Sequence, residues 1–150
     1  MLEFFDQRMA QNLILLPVFA QVLLTFGVLI VLGQRRRRSI AIRRQTIQAM
    51  ALARDGDWEI PALLAANHFK NQFELPVLFY AGTAFALVTR NVDMAMFLLA
   101  WLFVVSRLVH TAVHLGSNVI VWRGSAYLVG FAALVGLWGL LAVRVVWSGF

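Results

Sequence analysis

Cysteine is absent from the chain, which excludes disulfides and thiolate-bound metal. Charge is scarce: 13% of the 150 residues are Asp, Glu, Lys or Arg, against 61% hydrophobic. Soluble domains run nearer one quarter charged and one half apolar, so composition alone argues for a membrane protein. Proline is limited to Pro17, Pro61 and Pro76, so the apolar runs are free to form helices except at those points. No repeat is present, and no low-complexity segment beyond one arginine run. The formal charge of +6 is concentrated there: six of the thirteen basic residues fall between Arg35 and Arg44. A basic run directly after an apolar span is explained by topology and anionic headgroups, so nucleic acid is not expected as a partner.

What is present is a set of four apolar segments, at about 12–33, 61–88, 94–116 and 125–146, predicting one all-α transmembrane domain over 1–150. The first carries no charge and is long enough to cross a bilayer. Glu3 and Asp6 before it, and its full length, argue against a cleaved signal peptide. The basic link 34–60 should face the cytoplasm. Both termini are then periplasmic if the membrane is a bacterial inner membrane, the setting the short links favour. Within the link, Ile40–Arg54 reads as a surface helix. The turn "DGDWE" leads to Pro61 at the start of the second segment, and Pro76 should bend that segment. In the fourth, Ala126 with Gly130 and Ala132 with Gly136 have the spacing of close helix packing.

The polar residues inside these runs fall on helix faces. Arg107, His110, Thr111 and His114 are spaced i, i+3, i+4 and i+7, and Asn67, Asn71 and Glu74 are spaced i, i+4 and i+7. At roughly 1.5 Å per residue, Glu74 and Arg107 lie at similar depth in the cytoplasmic half, where a buried Glu and Arg should pair. The two stripes imply a polar cleft with Arg123 at its rim, suited to a small anionic ligand bearing carboxylates and an amine. Arg144 and Lys70 read as snorkelling side chains. Trp101, Trp138 and Trp147 read as lipid-facing or interfacial aromatics, and Tyr127, one turn after Arg123 and within reach of the cleft, reads first as interfacial.

"RLVHTAVHLG" followed by "RGSAYLVG", together with "NQFELP", resembles the MAPEG family, the membrane-associated proteins of eicosanoid and glutathione metabolism. The resemblance covers the second to fourth segments. It implies a homotrimer of four-helix subunits with glutathione, as co-substrate, in clefts between subunits. It implies that Asn71 and Glu74 hold the glutathione backbone and that Arg107 joins the same network. Arg123 stands near the thiol or its acceptor, and one arginine of Arg35–Arg38 reaches the same region. Two positions depart from the family pattern: Asn67 stands where an arginine is usual, and His114 where a tyrosine is usual. The expected site is therefore Arg123 and His114 as catalytic residues, with Asn71, Glu74, Arg107, His110 and Asn67 as binding residues and no metal ligand.

Three functions follow as expectations. The first is a glutathione-dependent membrane transferase or peroxidase acting on a lipophilic electrophile, with membrane lipid and its own copies as partners. The alternative is a structural or accessory membrane subunit of the same fold. The third is a metal site: His110 and His114, four apart on one face, suit two imidazoles on one ion, with Glu74 or His68 completing it. Arg107, one turn before His110, opposes a cation there.

Overall fold

The computed structural model describes residues 11–44, 46–51 and 57–147. Glu3, Asp6 and residues 52–56 of the basic link lie outside them. The elements are α1 (Leu15–Arg43), α2 (Ile47–Ala51), α3 (Ile60–Lys70), a 3-10 turn (Asn71–Phe73), α4 (Leu75–Val88), α5 (Met94–Leu115) and α6 (Ile120–Trp147). The chain is an all-α membrane bundle. Three helices, Gln11–Arg43, Met94–Leu115 and Ile120–Trp147, are each long and apolar enough to cross a bilayer. The second apolar segment is a broken helix, α3 and α4 joined by the 3-10 turn.

Three features differ from the sequence expectation. The first helix does not stop at Gly33 but continues through the arginines to Arg43. Arginine is a good helix former, and one interior glycine costs only about 1 kcal/mol. The helix ends at Arg44, whose φ of 50° is left-handed. The expected surface helix of the link shrinks among the described residues to the five-residue α2. The fourth helix starts at Ile120, which puts Arg123 in its first turn.

The break in the second segment follows from Pro76. Proline has no N–H to bond the carbonyl of Gln72, and its ring crowds that carbonyl. The chain leaves helical geometry at Glu74 (φ −100°, ψ −105°), and α4 restarts with Pro76 in its first turn.

Helix α5 packs most extensively on α6 and also contacts α1 and α3. Its lower half buries Met96, Ala100, Phe103 and Val104 against Phe79 of α4 and Leu134 and Leu137 of α6. The Phe79 and Phe103 rings stack at 4.6 Å. Lipid tails are as apolar as leucine, so close packing rather than hydrophobic transfer must hold such helices together. Gly130 is one such close approach: a Cβ there would run into Ser106 Oγ. Ala126 is buried with Gly130, whereas Ala132 of the other small pair is exposed. The outward faces are greasy, with Leu23, Phe26 and Ile30 on α1 and Leu98, Leu102 and Val109 on α5 exposed. That is the surface expected of a chain solvated by hydrocarbon.

Two residues expected to snorkel or face lipid are instead tied into the bundle. Arg144 donates to Asn91 O at 3.0 Å and pairs with Asp93, because α6 runs far enough to bring it over the α4–α5 loop. Asp93 also caps α5, accepting from Met96 N at 3.0 Å. The Arg144 bond holds its carboxyl below the usual carboxylate range. Trp138 is half-buried, packs near Gly82 and donates its indole N–H to Leu78 O at 3.1 Å.

Candidate functional site

A cleft of about 520 Å³ opens on one side of the bundle. Its walls are Leu64, Asn67 and Asn71 from the second segment, His110 and His114 from α5, and Arg123, Gly124, Tyr127 and Leu128 from α6. Ligand sites commonly span about 300–1,000 Å³, so the size suits a small organic ligand. Five of the seven residues expected from the sequence line it: Asn67, Asn71, His110, His114 and Arg123.

Arg107 stands behind this wall, fully buried. Its Nη2 donates to Asn71 O at 3.2 Å, and its guanidinium carbon sits 5.9 Å from the Tyr127 ring centre. Its Nε and Nη1 are buried without a hydrogen-bond partner. The helix break makes the Nη2 bond possible, because a carbonyl at a helix end has no intrahelical N–H to accept from.

The expected Arg107–Glu74 ion pair is not formed. Among the described residues the ion pairs are Arg43–Glu59 and Arg144–Asp93. Glu74 is exposed and does not line the cleft. The i, i+4, i+7 spacing shares a face only along an unbroken helix, and the break at residues 71–74 rotates Glu74 out of phase with Asn67 and Asn71. Within Arg35–Arg38, Arg35 is the residue that reaches inward, but not to the cleft. It donates to Leu115 O at 2.7 Å and Pro61 O at 3.2 Å, fastening α1 to the end of α5 and the start of α3.

Tyr127 corrects the interfacial expectation: it lines the cleft one turn after Arg123, and its ring lies 5.9 Å from that of His110. Arg123 is oriented by Asn118, which accepts from its Nη1 at 2.8 Å. Asn118 can do so because it adopts a left-handed φ of 51° between α5 and α6.

Behind His110 and His114 lies a buried polar network that joins the α5 stripe to His68, Gln72 and Gln21, three residues outside both sequence stripes. His68 of α3 is fully buried, with its Nδ1 3.2 Å from His114 Nδ1 and its Nε2 2.8 Å from Thr111 Oγ1. The Gln72 carboxamide lies 3.0 Å from the same Nε2 and meets that of Gln21, from α1, at 3.0 Å. Thr111 donates to Arg107 O at 2.7 Å. A signal for this network existed: His68 and Gln72 are themselves four apart, and Gln21 is a polar side chain inside an otherwise apolar span.

The sequence model of the MAPEG family matches residues 14–143. The chain belongs to the MAPEG family. Neither a curated protein nor a solved structure matches it. MAPEG membership and the apolar helices together make it an integral membrane protein.

Proposed function

We propose that this MAPEG protein is a glutathione-dependent membrane transferase or peroxidase that joins the tripeptide's sulfur, or its reducing power, to a lipophilic electrophile entering from the bilayer. The observation that carries the reading is Arg107. A buried guanidinium with two unpartnered nitrogens is costly in a membrane protein. Its position directly behind the cleft wall fits a ligand carboxylate that would satisfy them. Asn67, Asn71 and the Tyr127 hydroxyl add uncharged partners for the amine and amides of such a ligand.

Arg123, at the rim, is the cation placed to favour a thiolate over a thiol. The Tyr127 hydroxyl is the hydrogen-bond donor that shares the cleft with it. In a conjugation the thiol proton passes to water, the thiolate forms the new C–S bond, and the electrophile's leaving group departs with its bonding electrons. The cleft opens at the subunit surface, with exposed Asn67 and Leu128 on its edges. A homotrimer in which a neighbouring copy closes this side completes the reading, with the arginine-rich end of α1 in the cytoplasm.

The test is conjugation of a generic aryl halide at millimolar glutathione by the purified protein. Activity that falls at least tenfold in Arg123→Ala supports the reading; no conjugation by the folded wild type counts against it. The accessory-subunit reading has its own motive, since Asn67 cannot make the bidentate carboxylate contact of an arginine and His114 is engaged by His68. Co-purification of a stoichiometric partner protein in mild detergent, with no glutathione binding, would favour it.

A further inference from the structure

Three imidazoles meet at the cleft wall, His110 and His114 lining it and His68 behind them. His68, His110 and His114 each offer one ring nitrogen, and these nitrogens lie within 4.8 Å of one another. The ring centres are 4.8–5.5 Å apart. Two helices supply them: His110 and His114 share a face of α5, and His68 reaches across from α3.

The hydrogen bonds around the triad fix which nitrogens carry lone pairs. His110 Nδ1 lies 3.0 Å from Arg123 O. A carbonyl only accepts, so Nδ1 carries the proton and Nε2 is left with a lone pair. That Nε2 is buried with no partner. His68 Nε2 lies 2.8 Å from Thr111 Oγ1, and the single Thr111 proton goes to Arg107 O. The imidazole must then donate at Nε2, which leaves a lone pair on His68 Nδ1. Gln72 and Gln21, turned end for end, keep their mutual contact and present the Gln72 oxygen to that same N–H; the two ends of a carboxamide are nearly indistinguishable in shape. Metal-binding histidines show this arrangement: one ring nitrogen on the metal, the other donating to a carbonyl or hydroxyl that sets the tautomer.

We propose that His68, His110 and His114 form a three-histidine site for a divalent late transition metal, zinc above all, with its fourth position facing the cleft. At Zn–N distances of about 2.0–2.1 Å, tetrahedral ligand nitrogens stand about 3.3–3.4 Å apart. His68 Nδ1 and His114 Nδ1 are already at 3.2 Å. The widest nitrogen pair, at no more than 4.8 Å, must close by up to about 1.4 Å. Without metal, His114 Nδ1–H donates to His68 Nδ1. On metal binding that proton moves to His114 Nε2, so no proton is gained or lost by the triad.

Charge selects the fourth ligand. Arg107 precedes His110 by one turn and Arg123 shares the cleft with His110 and His114, so an added dication is repelled unless an anion accompanies it. Hydroxide or a thiolate arriving through the cleft supplies that anion. Three protein ligands and one open position is the pattern of catalytic rather than structural zinc.

The proposal does not rest on the glutathione reading, and the experiment separates them. The full chain is purified in detergent without an affinity tag, stripped with a chelator, and titrated with zinc against a chromophoric competitor. Cobalt is then added as a spectroscopic probe. The expected result is one zinc per chain, held more tightly than roughly micromolar, and an intense tetrahedral cobalt absorption. His68→Ala and His110→Ala should lose both, while Arg37→Ala, at an exposed position of α1 outside the cleft, should keep both. Fewer than about 0.1 zinc per chain in folded wild type would overturn the proposal. So would zinc binding unchanged in both histidine variants. Glutathione binding to the stripped protein, measured in the same preparation, stands or falls separately.

Discussion

Replacing Arg107 by methionine isolates what that buried charge is for. The arginine makes one hydrogen bond, Nη2 to Asn71 O, worth about 1.5–3 kcal/mol for a charged donor. Its contact over the Tyr127 ring, desolvated because the arginine is fully buried, adds about 2 kcal/mol. Against these stand two buried nitrogens with no partner, costing about 1–3 kcal/mol each. At the upper end of each range, where a charged group belongs, about 5 kcal/mol of contacts stand against about 6 of unpartnered nitrogens, so methionine, of similar length and fully apolar, is ahead by about 1 kcal/mol, before the desolvation of the charge itself is counted. For a chain of this size that is a rise in Tm of about 2–4 °C. Thermal unfolding in detergent, followed by circular dichroism with size-exclusion before and after, reads it directly. A Tm that falls by more than about 5 °C would refute the reasoning, because the charge would then be fully compensated within the fold and have no ligand to wait for.

Gly130→Ala should destabilise by about 1–3 kcal/mol, since its Cβ meets Ser106 Oγ, and Ser106→Ala should restore most of the loss. Gly124→Ala, where a Cβ meets nothing, is the control for the glycine-to-alanine change itself and should leave stability equal or up to about 1 kcal/mol higher. Arg35→Ala should loosen the junction of α1, α3 and α5 by removing donors to Leu115 O and Pro61 O; faster amide exchange in the last turn of α5 is the readout, and exchange no faster than in Arg37→Ala would contradict it. Asp93 has its folded-state carboxyl pulled below its unfolded value by Arg144, so its contribution is present above pH about 4 and is lost as pH falls through the lower folded value. The Tm gap between wild type and Asp93→Asn should therefore hold constant above pH 5 and close below pH 4. The pair is partly exposed, so the gap is at most about 1 kcal/mol.

The membrane bundle was legible because long apolar runs with few charges have one physical solution, the buried-backbone helix. The cleft was legible in part for the same reason: Arg107, His110 and His114 keep their periodicity in the unbroken α5. Glu74 was misplaced because the stripe argument ran across Pro76, whose missing N–H and bulky ring end the helix before it and turn Glu74 outward. The end of α1 was misjudged at Gly33 because a glycine and a charge run mark a membrane boundary without marking a helix end. Tyr127 was read as interfacial although its spacing from Arg123 also fits the cleft. The His68–Gln72–Gln21 network needed three elements brought together, and no single periodicity contains it. Arg144 and Trp138 likewise depended on where α6 passes over the α4–α5 loop and Gly82.

Glutathione titration of the folded protein tests the central claim most directly. Calorimetry in detergent on wild type and Arg107→Met, both shown to be monodisperse and thermally stable, is the measurement. The account predicts saturable binding by wild type at millimolar glutathione or below and at least a tenfold weaker affinity in Arg107→Met. Equal affinities, or no heat from wild type at several millimolar ligand, would contradict it.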